Sequence, residues 1–363
     1  MSRTTVKFLI WLAIALVLSA WFLHRLEWQA VRDSFGQMNV GLILVAMCPI
    51  ALTYLVRSLR WRVFLAPIGT ASVRNLFAAN VVGYSAIFLV GRVGEAVRPV
   101  ILSLREHIRP SASVATLLVE RLYDMVTVGV IFALDLTAWS EPQTADFHSW
   151  QALKTTGSIL LLVALGGVWG LSMFRRHAPG VLTFVEEHVG WLPTSLRVIL
   201  LHLLGHLAEG LYVLHDLRGL AVTLGYTLLV WGLVVISFFC VGLAFGLNLS
   251  LGSILFVLGF AMIGSLVPTP GGSAGAFHTT TMAGLMLVGV EKNLAASVAI
   301  MLHIVSFGTA VLFGPYFLIR DRLSLGKLRR LVESEFHVPE SRRTVRMAKR
   351  ADQPAHQDVT PCV

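Results

Sequence analysis

Apolar residues fill this chain in long unbroken runs, and charged residues gather between the runs rather than alternating with them. Runs at 6–23, 40–56, 113–139, 155–174, 219–245 and 295–319 each approach the roughly 20 residues that a helix needs to cross a bilayer. The alternating pattern of a transmembrane barrel strand is absent. Two further apolar stretches are interrupted. The first, 75–104, is broken by Gly91-Arg92-Val93-Gly94-Glu95 and Pro99, and the second, 253–289, by Pro268-Thr269-Pro270-Gly271-Gly272-Ser273. Proline removes a backbone donor and glycine opens conformations that a helix forbids, so neither stretch is expected to cross as one continuous helix. The pattern predicts an all-α membrane protein of about six full spans and two re-entrant broken-helix hairpins, eight hydrophobic segments in all.

The order of these elements repeats. Residues 6–139 read span, span, broken hairpin, span, and residues 155–319 read the same. With the N-terminus on the cytoplasmic side, the first hairpin enters from the cytoplasm and the second from outside, which makes the halves inverted-topology repeats. In transporters built this way the breaks meet near the midplane and form the substrate site.

Charge supports the layout. Under that topology the cytoplasmic segments hold 24 Lys and Arg, and the external loops hold four: Arg25, Arg32, Lys154 and Lys292. This is the asymmetry expected of a multi-pass protein of the cytoplasmic membrane with both termini inside. Only 13% of residues are charged and 56% are hydrophobic, against about 25% charged in soluble domains. The net charge of +9 sits beside apolar runs, so it points to topology and anionic lipid rather than to nucleic acid. The first run follows Arg3 and Lys7 as a signal peptide would. The only plausible cleavage point is after Ala20, with Leu18 where a small residue is needed, so an uncleaved span is expected.

Two segments differ from the rest. Residues 196–216 place His202, His206, Glu209 and Asp216 on one helical face and leucines on the other, the pattern of a helix lying along the cytoplasmic interface. No Cys/His cluster accompanies these groups, and no metal or cofactor is expected. Residues 1–320 therefore form the transmembrane domain, and 321–363 form a basic cytoplasmic tail expected to be largely disordered.

Ionisable groups within apolar runs are costly and mark candidate sites. The first break carries Arg92, Glu95 and Arg98, with the spacing of Glu95 and Arg98 suited to a pair on one helix face. Glu120, Arg121 and Asp124 lie within the third span, where Arg121 is in reach of Asp124. The second break offers Pro270, Gly271, Gly272 and Ser273 at a helix start, a setting that favours anions, and His278 follows. At this level either a substrate site or a structural ion network accounts for them. Arg57, Arg60, Trp61 and Arg62, just past the second span, read as an anchor in the aromatic and basic belt, with a direct headgroup role as the alternative. No pattern of a catalytic site is present, so no catalytic residue is assigned.

Asn80 with Gly91-Arg92-Val93-Gly94-Glu95-Ala96-Val97-Arg98, then Glu120-Arg121-Leu122-Tyr123-Asp124, then Pro268-Thr269-Pro270-Gly271-Gly272, resemble the lysylphosphatidylglycerol synthase transmembrane-region family, also called flippase-like. The resemblance covers roughly residues 5–322. It implies a membrane protein that moves or presents lipids. In the fullest members a soluble C-terminal domain attaches an amino acid to phosphatidylglycerol, and no such domain fits after residue 320 here, so lysyl transfer is not expected. Many relatives carry a glutamate soon after the glycine-rich motif, where this chain has Phe277 and His278.

The expectation is a protein that transports or flips a lipid or lipid-linked molecule, with a membrane lipid as ligand through its anionic headgroup. The alternatives are a membrane-embedded lipid-modifying transferase and an accessory subunit that positions a separate lipid-modifying enzyme. A second copy of the chain is the other partner left open.

Overall fold

A computed structural model describes residues 26–106, 108, 110–138, 217–267 and 270–320, with position 24 and scattered positions through 151–185. At 90–93 and 270, among other positions, only the backbone is described. The predicted span at 6–23, most of the span at 155–174, the interfacial helix at 196–216 and the tail from 321 lie outside the described residues.

Every regular element among the described residues is helical. In chain order they are α1 (Trp28–Gln37), α2 (Val40–Leu65), α3 (Val73–Val90), a 3-10 turn (Gly91–Ala96), α4 (Val97–Glu106) and α5 (Pro110–Ala138). After the gap come α6 (Leu217–Ala244), α7 (Leu251–Ser265), α8 (Pro270–Leu287), α9 (Lys292–His303), a π-helical turn (Ile304–Gly308) and α10 (Thr309–Arg320). Among the described residues three stretches are long and apolar enough to cross a membrane: Val40–Leu65, Arg218–Ala244 and Lys292–Phe317. Helix α5 has 29 residues but carries Glu120, Arg121 and Asp124 within its length. The predicted 40–56 run continues as helix to Leu65, because Arg57 and Arg60 find buried partners instead of solvent.

Both interrupted stretches form helix–break–helix units. In the first, Gly94 sits against the α3 backbone at Ala86 and Ile87 with no room for a Cβ, and Gly83 faces the aliphatic stem of Arg98 just as closely. These two approaches need glycine and let α4 pack against α3. The open end of the unit is tied by Glu106 Oε1, which accepts from Ser72 N at 2.9 Å, Ser72 Oγ at 2.9 Å and Asn75 Nδ2 at 2.8 Å. In the second unit α7 is capped by Ser250, whose Oγ accepts from Ser253 N at 3.1 Å. Its break is a run of three left-handed residues: Gly271 (φ 70), Gly272 (φ 63) and Ser273 (φ 65).

The two units are packed together. Helix α8 touches both α3 and the 3-10 turn. Long helices α2 and α6 run against one another, with Ser237 Oγ of α6 donating to the Ala46 carbonyl of α2 at 2.9 Å. Helix α10 packs on α3, where Ser85 Oγ donates to the Ala310 carbonyl at 2.7 Å. Helix α7 packs on α5. Each unit thus packs against the last long helix of the other half. Small residues make close approach possible: Ala46, Ala295, Ala296 and Ala299 are fully buried, as expected where helices associate by van der Waals packing.

Candidate functional site

The charges of the first half form a layered ion network. Arg60 on α2 is fully buried, and its Nη1 donates to Asp124 Oδ1 at 2.7 Å and to Thr227 Oγ1 on α6 at 2.9 Å. Arg60 Nη2 lies 3.3 Å from Glu120 Oε1. Arg98 on α4 pairs with Glu120 Oε2 at 3.0 Å and stacks its guanidinium over the Trp61 ring at 4.6 Å. Arg57 Nη1 donates to Asp124 Oδ2 at 3.1 Å. Arg121 pairs with Glu95 Oε1 of the 3-10 turn at 3.1 Å, in the most exposed of these pairs.

Three expectations are corrected here. Glu95 does not pair with Arg98, because Arg98 reaches Glu120 of α5 and Glu95 reaches Arg121. Arg121 does not pair with Asp124: it turns to Glu95, while Arg57 and Arg60 hold Asp124. Arg57, Arg60 and Trp61 are not a belt anchor. All three are buried, with Trp61 Nε1 donating to Thr116 Oγ1 at 2.9 Å. Only Arg62 of that group is exposed. Asn80 joins the same layer through Nδ2, which donates to Ser58 Oγ at 2.8 Å.

At the second break, Ser273 holds a conformation that costs an L-residue about 1–2 kcal/mol. Its Oγ donates to the Val267 carbonyl at 2.6 Å, which offsets part of that cost. His303 Nε2 is 3.2 Å from the Gly272 carbonyl. A carbonyl only accepts, so Nε2 carries the proton there. The His278 and His303 rings meet edge to face at 4.7 Å, and Phe277 and Phe307 pack on His303.

A cavity of about 140 Å³ lies where the two breaks meet. Glu95 and Arg121 line it from the first half, Gly272, Ser273 and Phe277 from the second, and Arg57, Tyr54 and Tyr84 beside Trp231 of α6 complete its polar wall. Arg57 stands over the Tyr84 ring at 5.5 Å and the Trp231 ring at 5.9 Å. Tyr84 Oη, Trp231 Nε1 and Ser306 Oγ are buried and make no hydrogen bond among the described residues. Groups of this kind normally find a partner.

Of the residues singled out by sequence, Glu95, Arg121, Gly271, Gly272 and Ser273 are at or beside the cavity. Arg98, Glu120 and Asp124 lie one layer behind it and position the residues that line it. His278 sits behind Phe277 against His303. For Arg92 and Pro270 only the backbone is described. Tyr84, Trp231 and Ser306 carry no signal in the sequence, since an aromatic or hydroxyl side chain in an apolar run looks like its neighbours, and Arg57 lines the cavity rather than anchoring the belt. No group of three metal-ligating side chains occurs among the described residues.

Comparison with known proteins places the chain in a family. The family model described as the lysylphosphatidylglycerol synthase TM region matches residues 8–314. The chain is also 23% identical over 317 residues to the UPF0104 membrane protein PH1989 of Pyrococcus horikoshii, covering 82% of this chain and 93% of that protein.

Proposed function

Since this chain belongs to the family of the lysylphosphatidylglycerol synthase TM region, a family of membrane proteins, we propose that it moves a lipid or lipid-linked molecule with an anionic headgroup across the cytoplasmic membrane. The observation that carries this reading is the charge balance at the junction of the breaks. Four guanidiniums, of Arg57, Arg60, Arg98 and Arg121, face three carboxylates, of Glu95, Glu120 and Asp124. Among these paired groups one positive charge is left over beside a cavity, where the local dielectric is low and an anion is held far more strongly than in water. Buried donors at the cavity wall add hydrogen bonds that a phosphate oxygen accepts.

Re-entrant hairpins and an inverted repeat belong to the same proposal. The packing supports them: α10 on α3 and α7 on α5 are equivalent contacts under exchange of the two halves. Six spans with both termini cytoplasmic follow from the charge asymmetry. Breaks entering from opposite faces then meet about halfway through a hydrocarbon core of about 30 Å, and a small tilt of one unit against the other opens the site to either side.

The test is movement of a headgroup-labelled phosphatidylglycerol in proteoliposomes, read by quenching from outside. The wild-type protein speeds exchange between leaflets, and Arg57→Ala, which leaves Asp124 paired with Arg60, slows it at least tenfold in protein that still melts cooperatively. Exchange equal to that of protein-free vesicles overturns the proposal. A covalently altered lipid in the same vesicles supports the transferase alternative.

A further inference from the structure

A second cavity, of about 280 Å³, lies between α5, α6 and α7 and is almost wholly apolar in its lining, which includes Phe132, Leu228, Gly232 and Leu255. Two residues, Trp231 and Leu258, line both this cavity and the polar one. The polar and apolar chambers therefore share a wall made of one indole and one leucine. On the polar side stand Arg57 and Arg121. On the apolar side Leu228 and Gly232 are exposed, so the chamber opens on the outer face of the bundle. Trp231 is buried, and its Nε1 has no hydrogen-bond partner among the described residues. A tryptophan with an apolar body and a free polar tip suits a boundary where a ligand changes from apolar to polar.

We propose that the two cavities are the two ends of one amphiphile site: the anionic headgroup occupies the polar chamber, an acyl chain of the same membrane lipid lies in the α5–α6–α7 chamber, and Trp231 stands at the junction. This rests on the headgroup reading above and adds to it the path of the chain. A lipid joins a charged head covalently to a chain, so adjoining chambers of opposite character are what its binding requires. Gly232 gives the chamber its depth. A Cβ placed there meets nothing within 4 Å, and the position is interior to a helix, where replacing glycine carries no backbone penalty.

The experiment uses the full chain in phosphatidylcholine nanodiscs. A phosphatidylglycerol with a photoreactive diazirine at the end of one chain is added, and crosslinked residues are mapped by mass spectrometry. A diazirine phosphatidylcholine is the neutral control, and deacylated glycerophosphoglycerol reports on the headgroup chamber alone through a thermal shift. Crosslinks are expected at Leu228 and Leu255. Gly232→Phe reduces them at least tenfold and leaves the glycerophosphoglycerol shift unchanged. Trp231→Phe, which removes the N–H and keeps a ring, weakens that shift.

Unchanged crosslinking in Gly232→Phe or crosslinks confined to other faces overturns the chain path and leaves the headgroup reading intact, and equal labelling by the neutral lipid overturns the joining of the two chambers into one anionic-lipid site. Occupation of the chamber by another segment of this chain gives the first of these results. No shift with glycerophosphoglycerol in the wild type, alongside groove crosslinks lost in Gly232→Phe, leaves the chain site standing and overturns the headgroup reading.

Discussion

Arg60 and Asp124 face each other across α2 and α5 with 2.7 Å between Nη1 and Oδ1, and neither side chain is more than 3% exposed. The pair fastens the second half of α2 to the middle of α5. Removing one partner leaves a buried charge uncompensated, which costs about 3–5 kcal/mol. Asp124→Ala leaves Arg57 and Arg60 sharing one carboxylate, Glu120, at 3.9 and 3.3 Å. The expected result is a marked loss of stability, read as a lower melting temperature in detergent. The double variant Arg60→Met, Asp124→Leu recovers part of it, because Arg60 no longer needs a partner while Arg57 keeps only Glu120, at 3.9 Å.

The orientation of the chain is open to a direct check. With both termini cytoplasmic, an odd number of crossings separates position 140 from position 344. In a background with Cys48, Cys240 and Cys362 replaced, a single cysteine at Ser140 is labelled by an impermeant maleimide from outside, and one at Thr344 only after the membrane is opened. Labelling of both from the same side refutes the arrangement.

Acid should loosen the first helix–break–helix unit at its open end. Glu106 lies outside the apolar stretch at the end of α4. Partial burial alone raises its pKa, but hydrogen bonds from Asn75 and Ser72 outweigh that and hold it below the ordinary glutamate range. A carboxyl depressed in the folded state contributes stability above its unfolded pKa and loses it as pH falls through the folded value. Glu106→Gln is therefore less stable than wild type at neutral pH, and the gap between their melting temperatures closes as pH drops below the glutamate range. A constant gap shows that ionisation of Glu106 contributes nothing.

The sequence made both breaks visible because proline and glycine act locally: Gly91 to Gly94 and Gly271 to Ser273 fall where the helices stop. It also marked Glu95, Arg98, Glu120, Arg121 and Asp124 as costly groups in an apolar setting. It did not reveal who pairs with whom, because partners such as Arg60 and Asp124 lie 64 residues apart. An arginine just past an apolar run looks like a belt anchor unless its distant carboxylate is known, and Arg57 and Arg60 were misread for that reason. Trp231 was silent for a related cause. In a long apolar helix it is one more bulky residue, and only the packing of α5, α6 and α7 sets it between two chambers of opposite character.

The Glu95–Arg121 pair separates a binding role from a purely structural one. Both residues line the polar cavity, and their side chains keep 26% and 27% exposure, well above the pairs behind them. If the pair only holds the 3-10 turn against α5, losing either partner has the same sign: the turn loosens and lipid binding falls. If the excess positive charge recruits an anionic headgroup, the two losses have opposite signs. Glu95→Gln removes a carboxylate and raises the excess by one, so a singly charged phosphatidylglycerol binds more tightly. Arg121→Gln cancels the excess, so it binds more weakly. A unit charge at roughly 6 Å with an effective dielectric constant near 20 is worth about 3 kcal/mol before screening, and a retained 1.4 kcal/mol is a tenfold change in affinity. Binding of phosphatidylglycerol and of neutral phosphatidylcholine is measured side by side by native mass spectrometry at two salt concentrations. The charge reading requires opposite shifts of about tenfold for the anionic lipid, smaller at high salt, and little change for the neutral one. Parallel losses for both lipids in both variants assign the pair to the scaffold instead.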